Sequence, residues 1–150
     1  MAVLGICVVP GGGAPKLHGV IADGTFEDPI IVDSFEVRTN SHEASEQAVD
    51  LARLLLAKLP GLRFSAAAIR IAGTTPVPRR NKAAFSRAHA EGAALYVLRE
   101  HLKSPVATGD PKALAKSSDV PYPELEATAK GLLKSKADAT LAALSQLPKS

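Results

Sequence analysis

The chain has 150 residues, a length that suits one domain, residues 1–150, with a core large enough to be stable on its own. Hydrophobic residues make up 46% of the chain and aromatic residues only 4%, so we expect a core of aliphatic side chains. The single cysteine excludes an internal disulfide and favours the reducing cytoplasm. No apolar run reaches the roughly 18 to 20 residues that a membrane span needs, so no membrane partner is expected.

The charges divide along the chain. Eight acidic residues and one basic residue lie between positions 22 and 50, whereas eight basic and two acidic residues lie between positions 63 and 103. A basic half attracts a polyanion even when the net charge is only +3. The alternative is that the two halves neutralise each other across a folded or dimeric surface.

Three strands are predicted before the first helix, over residues 2–9, 16–22 and 29–38. The apolar N-terminal stretch lacks the basic region of a signal peptide, so it is interpreted as a strand. A helix is predicted to begin at Asn40 or Ser41, with Glu43 closing a capping box, and to end at Pro60. Its expected apolar stripe is Val49, Leu51, Leu54, Leu55 and Leu59.

A short buried strand over residues 65–72 and a loop held extended by prolines come next. A second helix is predicted over residues 81–102, then a brief strand over 105–108 and three short helical pieces. The expected apolar stripe of the second helix is Phe85, Ala88, Gly92, Leu95 and Leu98. This order of elements predicts an α/β protein with a mixed sheet.

Five segments carry a resemblance to a known family. Residues 3–7 read V-L-G-I-C and are followed by a glycine turn and H-G-V-I, and residues 68–71 read A-I-R-I. The helix from position 81 has a glycine and an alanine at 92 and 93, residues 108–116 read T-G-D-P-K-A-L-A-K, and residues 135–142 read S-K-A-D-A-T-L-A. In this order the segments resemble RuvC-type Holliday-junction resolvases. The resemblance implies a ribonuclease H-like mixed sheet of about five strands flanked by helices.

The resemblance also locates the positions of the family's metal-binding acids. The first aspartate corresponds to Cys7, the glutamate to Arg70, and the closing pair of aspartates to Ser135 and Asp138. Only Asp138 is retained, and one carboxylate cannot clamp the two Mg²⁺ ions that such nucleases use. We therefore expect a pseudonuclease without catalytic residues, metal site or cofactor.

Arg70 is predicted to pair with Asp138, so that a guanidinium fills the space of the metals. A local alternative for Asp138 is a capping box with Ser135 at the start of the last helix. Both roles are compatible.

The partner expected first is DNA, duplex or branched, bound without cutting. The candidate contacts are Arg79, Arg80, Lys82, Arg87, Lys112 and Lys116. A solvated basic loop is the alternative interpretation of the first three. Homodimerisation is implied by the resemblance, and small residues on the second helix would allow close approach of another helix.

Two other functions are left open by the sequence. One is a protein-interaction module that retains only the fold, and a weaker one is an active nuclease with carboxylates supplied by Asp23, Asp33 or Asp110. The four histidines lack metal-binding spacing, so a zinc site is not expected. Cys7 in an apolar strand is interpreted as a small hydrophobic residue and not as a nucleophile.

Overall fold

The computed structural model describes residues 1–10, 14–72 and 82–150. Its strands are Val3–Val9 (β1), Lys16–Gly24 (β2), Pro29–Arg38 (β3), Ala66–Arg70 (β4) and Ala107–Gly109 (β5). They form one sheet of five strands in the order β3-β2-β1-β4-β5. The first three strands are an antiparallel meander, whereas β4 and β5 run parallel to β1. The predicted α/β architecture with a mixed sheet is confirmed.

Helices cover both faces of the sheet. They are Ala44–Lys58 (α1), Lys82–Leu102 (α2), Pro111–Ser118 (α3), Tyr122–Leu132 (α4) and Ala137–Leu144 (α5), with short 3₁₀ turns at Leu59–Gly61 and Lys134–Lys136. In the part of the chain that the structure describes, no helix has the length and apolar character to cross a membrane.

Strand β1 lies in the middle of the sheet and is buried on both faces, which explains its uninterrupted apolar sequence. Leu4, Ile6 and Val8 join the core beneath α1 and α2. Val3 and Cys7 point to the opposite face, toward the helices that end the chain. The alternation of side chains along β1 therefore separates an aliphatic core from the face on which polar residues gather.

Helix α5 approaches β1 more closely than an ordinary side chain would permit. A Cβ atom on Gly5 would lie 2.1 Å from the carbonyl oxygen of Ala139 and 2.4 Å from the amide nitrogen of Ala143. The helix presents small residues at these contacts and is buried from Ala139 to Leu144. Glycine on the strand and alanine on the helix thus bring the two backbones together.

The predicted beginning of α1 is wrong by a few residues. Glu43 is itself the N-cap, and its carboxylate accepts hydrogen bonds from the amides of Ser45 at 3.0 Å and Glu46 at 2.9 Å. Carboxylates at this position stabilise the helix by satisfying amides that have no partner within it. Asn40 and Ser41 precede the helix and do not cap it.

The predicted apolar stripes of α1 and α2 are wrong in part, because both helices expose apolar residues. On α1, Leu51 and Leu55 are buried, as is Leu59 just beyond it, whereas Val49 and Leu54 are exposed. On α2, the buried residues are Ala90, Glu91, Ala94, Val97 and Leu98. Of the stripe predicted for α2 only Leu98 is fully buried, and its other members are exposed or, for Leu95, half-buried.

The predicted capping box at the last helix does not form. Ser135 lies in the 3₁₀ turn, and α5 begins after Lys136, which caps it without a side-chain hydrogen bond. The 3₁₀ turn shifts the start of the helix by one residue and takes Ser135 out of the capping position. Asp138 remains in the first turn of α5, where its negative charge interacts favourably with the positive end of the helix dipole.

Replacing Gly5 with alanine tests the close packing of α5 on β1. Gly5→Ala should lower the free energy of unfolding by about 1–3 kcal/mol or more, because the new methyl group meets two backbone atoms that cannot move independently. Urea unfolding followed by circular dichroism would measure the change.

Gly131→Ala in α4 is the matched control, since a Cβ atom there would meet nothing within 4 Å. It should leave stability unchanged or raise it by up to about 1 kcal/mol. An equal loss of unfolding free energy in Gly5→Ala and Gly131→Ala would contradict the close packing of α5 on β1.

Candidate functional site

A row of polar side chains crosses the sheet on the face that α5 covers. Glu36 on β3 lies directly opposite His18 on β2, His18 lies opposite Cys7 on β1, and Cys7 lies opposite Arg70 on β4. We call these four residues the polar row. Their neighbours along each strand point into the aliphatic core on the other face, so strand alternation alone aligns the row.

Arg70 lies between the thiol of Cys7 and the carboxylate of Asp138. Its Nη1 atom is 3.9 Å from Cys7 Sγ and 3.6 Å from Asp138 Oδ2. Arg70 ends β4, whereas Asp138 comes from the first turn of α5, which the close packing on β1 holds above the strand ends. The predicted ion pair between Arg70 and Asp138 is confirmed.

The Cys7 thiol is poorly suited to nucleophilic chemistry. Cys7 is only 1% exposed, and its thiol faces the carbonyl oxygen of Val8 at 3.5 Å. Burial raises the pKa of the Cys7 thiol, and the opposing effects of Arg70 and Arg87 do not overcome it. The thiol is therefore neutral at physiological pH and closed to solvent, as expected of a small hydrophobic residue in a strand.

The other end of the polar row is a carboxylate bonded to two cations and a histidine. Glu36 accepts a hydrogen bond from Arg38 Nε, contacts His18 Nε2 at 3.0 Å and pairs with Lys16 Nζ at 3.2 Å. Hydrogen bonds from Arg38, His18 and Lys16 lower the pKa of Glu36 to about 2. The carboxylate of Glu36 is thus occupied by contacts within the protein. The sequence analysis missed this cluster, although the alternation of β2 and β3 carries the signal for it.

A second polar network begins at Tyr122, the first residue of α4. A hydrogen bond to Glu126 raises the pKa of the Tyr122 phenol. The pKa of Glu126 is lowered first by a hydrogen bond from Lys130, at 2.5 Å, and then by the one from Tyr122. The charge of Arg70 acts on Tyr122 and that of Asp138 acts on Lys130, so this network adjoins the polar row. This network was not predicted, because the start of α4 at Tyr122 was not.

These residues do not supply the ligands of a two-metal site. Mg²⁺ requires oxygen ligands, and two ions need several carboxylates. At the four positions that the resemblance assigns to metal-binding acids, the chain has a buried thiol, a guanidinium, a hydroxyl and one carboxylate. Among the described residues no group of three or more His, Cys, Asp or Glu side chains could hold a metal ion. The remaining residues, 11–13 and 73–81, contain none of these residue types.

The residues predicted to contact nucleic acid fall in different places. Arg79 and Arg80 lie outside the described residues, as does the side chain of Lys82. Arg87 on α2 is largely buried and pairs with Glu91 at 3.3 Å, and Glu91 also accepts a hydrogen bond from the Ala72 amide at 2.9 Å. Glu91 therefore ties α2 to the chain that follows β4, and Arg87, which pairs with Glu91 on the same helix, presents little surface to a ligand.

Four lysines lie on α3 and on the 3₁₀ turn at 134–136, the two elements that pack beside α5. Lys112 and Lys116 are exposed on α3, one turn apart, and α3 packs against β5. Lys134 and Lys136 lie in the 3₁₀ turn before α5, which packs against β2. None of the four forms a salt bridge with another described residue. We call them the basic rim, of which sequence analysis identified only the first two.

Solved structures that share this fold include two of RuvC. The first is a Thermus thermophilus RuvC structure, 24% identical in sequence, which aligns over 97% of this chain and 92% of that chain with a TM-score of 0.65. The second is T. thermophilus RuvC in complex with a Holliday junction substrate, 22% identical, with the same coverage and a TM-score of 0.68. The expected resemblance is confirmed at the level of the fold, which is ribonuclease H-like and of the RuvC type.

Sequence comparison adds no closer relative. No protein-family model matches the chain, and no curated protein sequence matches it. At this level of identity the likeness establishes architecture, while function has to be argued from the residues of the site.

The Glu36 cluster gives the protein a defined acid sensitivity. The pKa of Glu36 in the folded protein, about 2, lies below the ordinary value of 4.5. The stabilisation of the fold by its carboxylate is therefore complete at pH values above that ordinary value. It is lost as the pH falls through the folded pKa. Glu36→Gln should therefore be less stable than the wild type at neutral pH, and the difference should shrink between about pH 5 and pH 2. Urea unfolding at a series of pH values would measure it.

Asp33→Asn on the same strand removes one negative charge and is the control. The Asp33 carboxylate accepts a hydrogen bond from the Ser34 amide at 2.8 Å and forms no salt bridge within the described chain. If Asp33→Asn lowered the free energy of unfolding as much as Glu36→Gln does, and with the same pH dependence, the effect would come from total charge and not from the cluster.

Proposed function

We propose that this protein binds DNA, duplex or branched, and does not cut it by a metal-dependent reaction. One observation carries the proposal: the Arg70 guanidinium lies between Cys7 and Asp138, at the strand ends where a RuvC-type nuclease would place its acids. A permanent positive charge at that point repels Mg²⁺ and attracts a phosphate.

The chemistry of the side chains argues against cutting. A neutral, buried thiol and a guanidinium cannot replace the carboxylates that hold two hard cations. A nuclease with relocated carboxylates would need acids elsewhere near the row, yet the Glu36 carboxylate is already bonded to Lys16, His18 and Arg38. Asp110 caps α3 by accepting the Ala113 amide at 2.8 Å. Asp138 is then the one carboxylate at the positions that the resemblance assigns to metal-binding acids.

The distribution of charge supports DNA as the ligand. The basic rim places four lysines on the two elements that pack beside α5, the helix whose Asp138 pairs with Arg70. Neutralising backbone phosphates in this way accounts for most non-specific affinity for DNA. A structural neighbour, RuvC of T. thermophilus, has been solved with a Holliday junction substrate, which makes branched DNA the first ligand to test.

Fluorescence anisotropy with labelled four-way-junction and linear duplex DNA across a salt series tests the binding. Affinity should fall steeply with salt. Lys112→Gln/Lys116→Gln and Lys134→Gln/Lys136→Gln should each reduce the log–log slope by up to about 1.8, at about 0.9 for each phosphate that is no longer neutralised. The control is Arg99→Gln/Lys103→Gln, which removes two charges from the far end of α2 and should leave the slope unchanged.

The same samples with Mg²⁺ or Mn²⁺, run on a denaturing gel beside an active resolvase, should contain uncut DNA. Metal-dependent cutting would refute the inactive site. If the protein binds no DNA even at low salt, the protein-interaction module becomes the better interpretation.

We also propose that the protein forms a homodimer through α2. This helix exposes an aromatic residue at each end of one stripe, Phe85 and Tyr96, with Ala88 and Gly92 between them. Tyr96 is 70% exposed, more than any other large hydrophobic side chain in the described chain. Aromatic anchors beside small residues are typical of the centre of a protein interface.

Light scattering after size exclusion should give a dimeric mass for the wild type and a monomeric mass for Phe85→Glu/Tyr96→Glu, because two buried charges oppose association. Val32→Glu, an exposed site on β3, is the control and should remain dimeric. A monomeric wild type would refute the dimer.

A further inference from the structure

The Arg70 guanidinium makes few of the contacts available to it. It has five N–H donors, yet its contacts in the described structure are a sulfur atom at 3.9 Å and a carboxylate oxygen at 3.6 Å. Both distances exceed those of a strong charged hydrogen bond. The Nε atom is buried and has no hydrogen-bond partner among the described residues. The side chain is 21% exposed, so part of the guanidinium is open to a ligand.

Asp138 is a loosely held partner. Its side chain is 56% exposed, and the contact with Arg70 is the one hydrogen-bond or ion-pair contact found for it within the described chain. Ion pairs of this length and exposure contribute little to stability, because solvent screens them. A stronger anion can therefore replace Asp138 at Arg70 without disturbing the fold.

The surroundings favour a phosphate as that anion. The four lysines of the basic rim flank the helix that carries Asp138, and Lys130 lies close enough to Asp138 to interact with it electrostatically. A phosphodiester offers two oxygens that match the planar fork of a guanidinium, which a single exposed carboxylate at 3.6 Å does not use fully.

We propose that Arg70 binds a backbone phosphate of the DNA directly and that Asp138 competes with this phosphate for the guanidinium. This inference rests on the proposed DNA binding and adds an anchor and an internal competitor to it. The two residues then have opposite effects on affinity, which a general attraction to a basic surface would not produce.

Substitutions of both residues test the inference with the same junction DNA and the same salt series. Arg70→Gln should weaken binding roughly tenfold and reduce the log–log salt slope by about 0.9, because one phosphate is left without its cationic partner. Arg70→Lys should bind more weakly than the wild type but keep its slope, since the charge remains and the planar fork does not. Asp138→Asn should strengthen binding about two- to fivefold by removing the competitor.

Asp119→Asn is the control for Asp138→Asn, because it also removes one exposed negative charge but lies at the end of α3, near Lys149. It should change affinity less than Asp138→Asn does. If Arg70→Gln fails to fold, as judged by circular dichroism, the comparison of the two aspartate variants still decides, since both side chains are exposed.

Each outcome has a distinct meaning. If the wild type binds DNA and Arg70→Gln binds it with the same affinity, Arg70 is not an anchor and the proposed function still stands. Weaker binding by Asp138→Asn, or an equal gain from Asp119→Asn, would overturn the competition. Failure of the wild type to bind any DNA would overturn both the proposed function and this inference.

Discussion

The close contact between α5 and β1 is the constraint on which the rest of the site depends. Because Gly5 has no side chain, the backbone of α5 rests on the strand, and the first turn of the helix comes to lie over the strand ends. Asp138 is delivered to Arg70 by this packing and not by any strong bond of its own. The functional geometry is therefore a consequence of core packing, and the polar groups are added to a frame that aliphatic residues build.

Within that frame, the sign of the charge decides what the site attracts. A row of side chains in register across four strands would concentrate negative charge if it contained acids, and a divalent cation would then hold them together. Here a buried thiol occupies the central strand and a guanidinium the next one, so the same geometry concentrates positive charge. At the other end of the row, Lys16, His18 and Arg38 surround Glu36 and occupy its carboxylate.

Much of the fold could be predicted from the sequence because strand alternation and turn residues are local signals. The pairing of Arg70 with Asp138 was also predictable, since both positions are set by the resemblance and opposite charges attract. The apolar faces of α1 and α2 were not, because a helix with apolar residues on several sides does not show which one is buried. Leu54 and Phe85 fit the expected periodicity and are nonetheless exposed.

The Glu36 cluster and the Tyr122 network were not predicted, for two different reasons. The Glu36 cluster depends on the register between β2 and β3, which shifts between Ile21 and Ala22, and His18 lies opposite Glu36 on the far side of that shift. The Tyr122 network is local to α4, where Tyr122, Glu126 and Lys130 follow at intervals of four residues, and it depends on where that helix begins. Alternation shows which side chains share a face of the sheet, but the register decides which of them meet and which carboxylates are occupied.

The exposure of Asp138 bears on what its carboxylate does beside Arg70. An acid that held a metal would be expected to have further carboxylates beside it, and an acid needed for stability would be expected to be buried and well bonded. Asp138 has neither property: its neighbours are cationic and its contact with Arg70 is long. Its remaining physical effect is to lower the positive potential around Arg70. Under the proposed DNA binding, the carboxylate screens the guanidinium from other anions until a phosphate with the matching charge and shape displaces it.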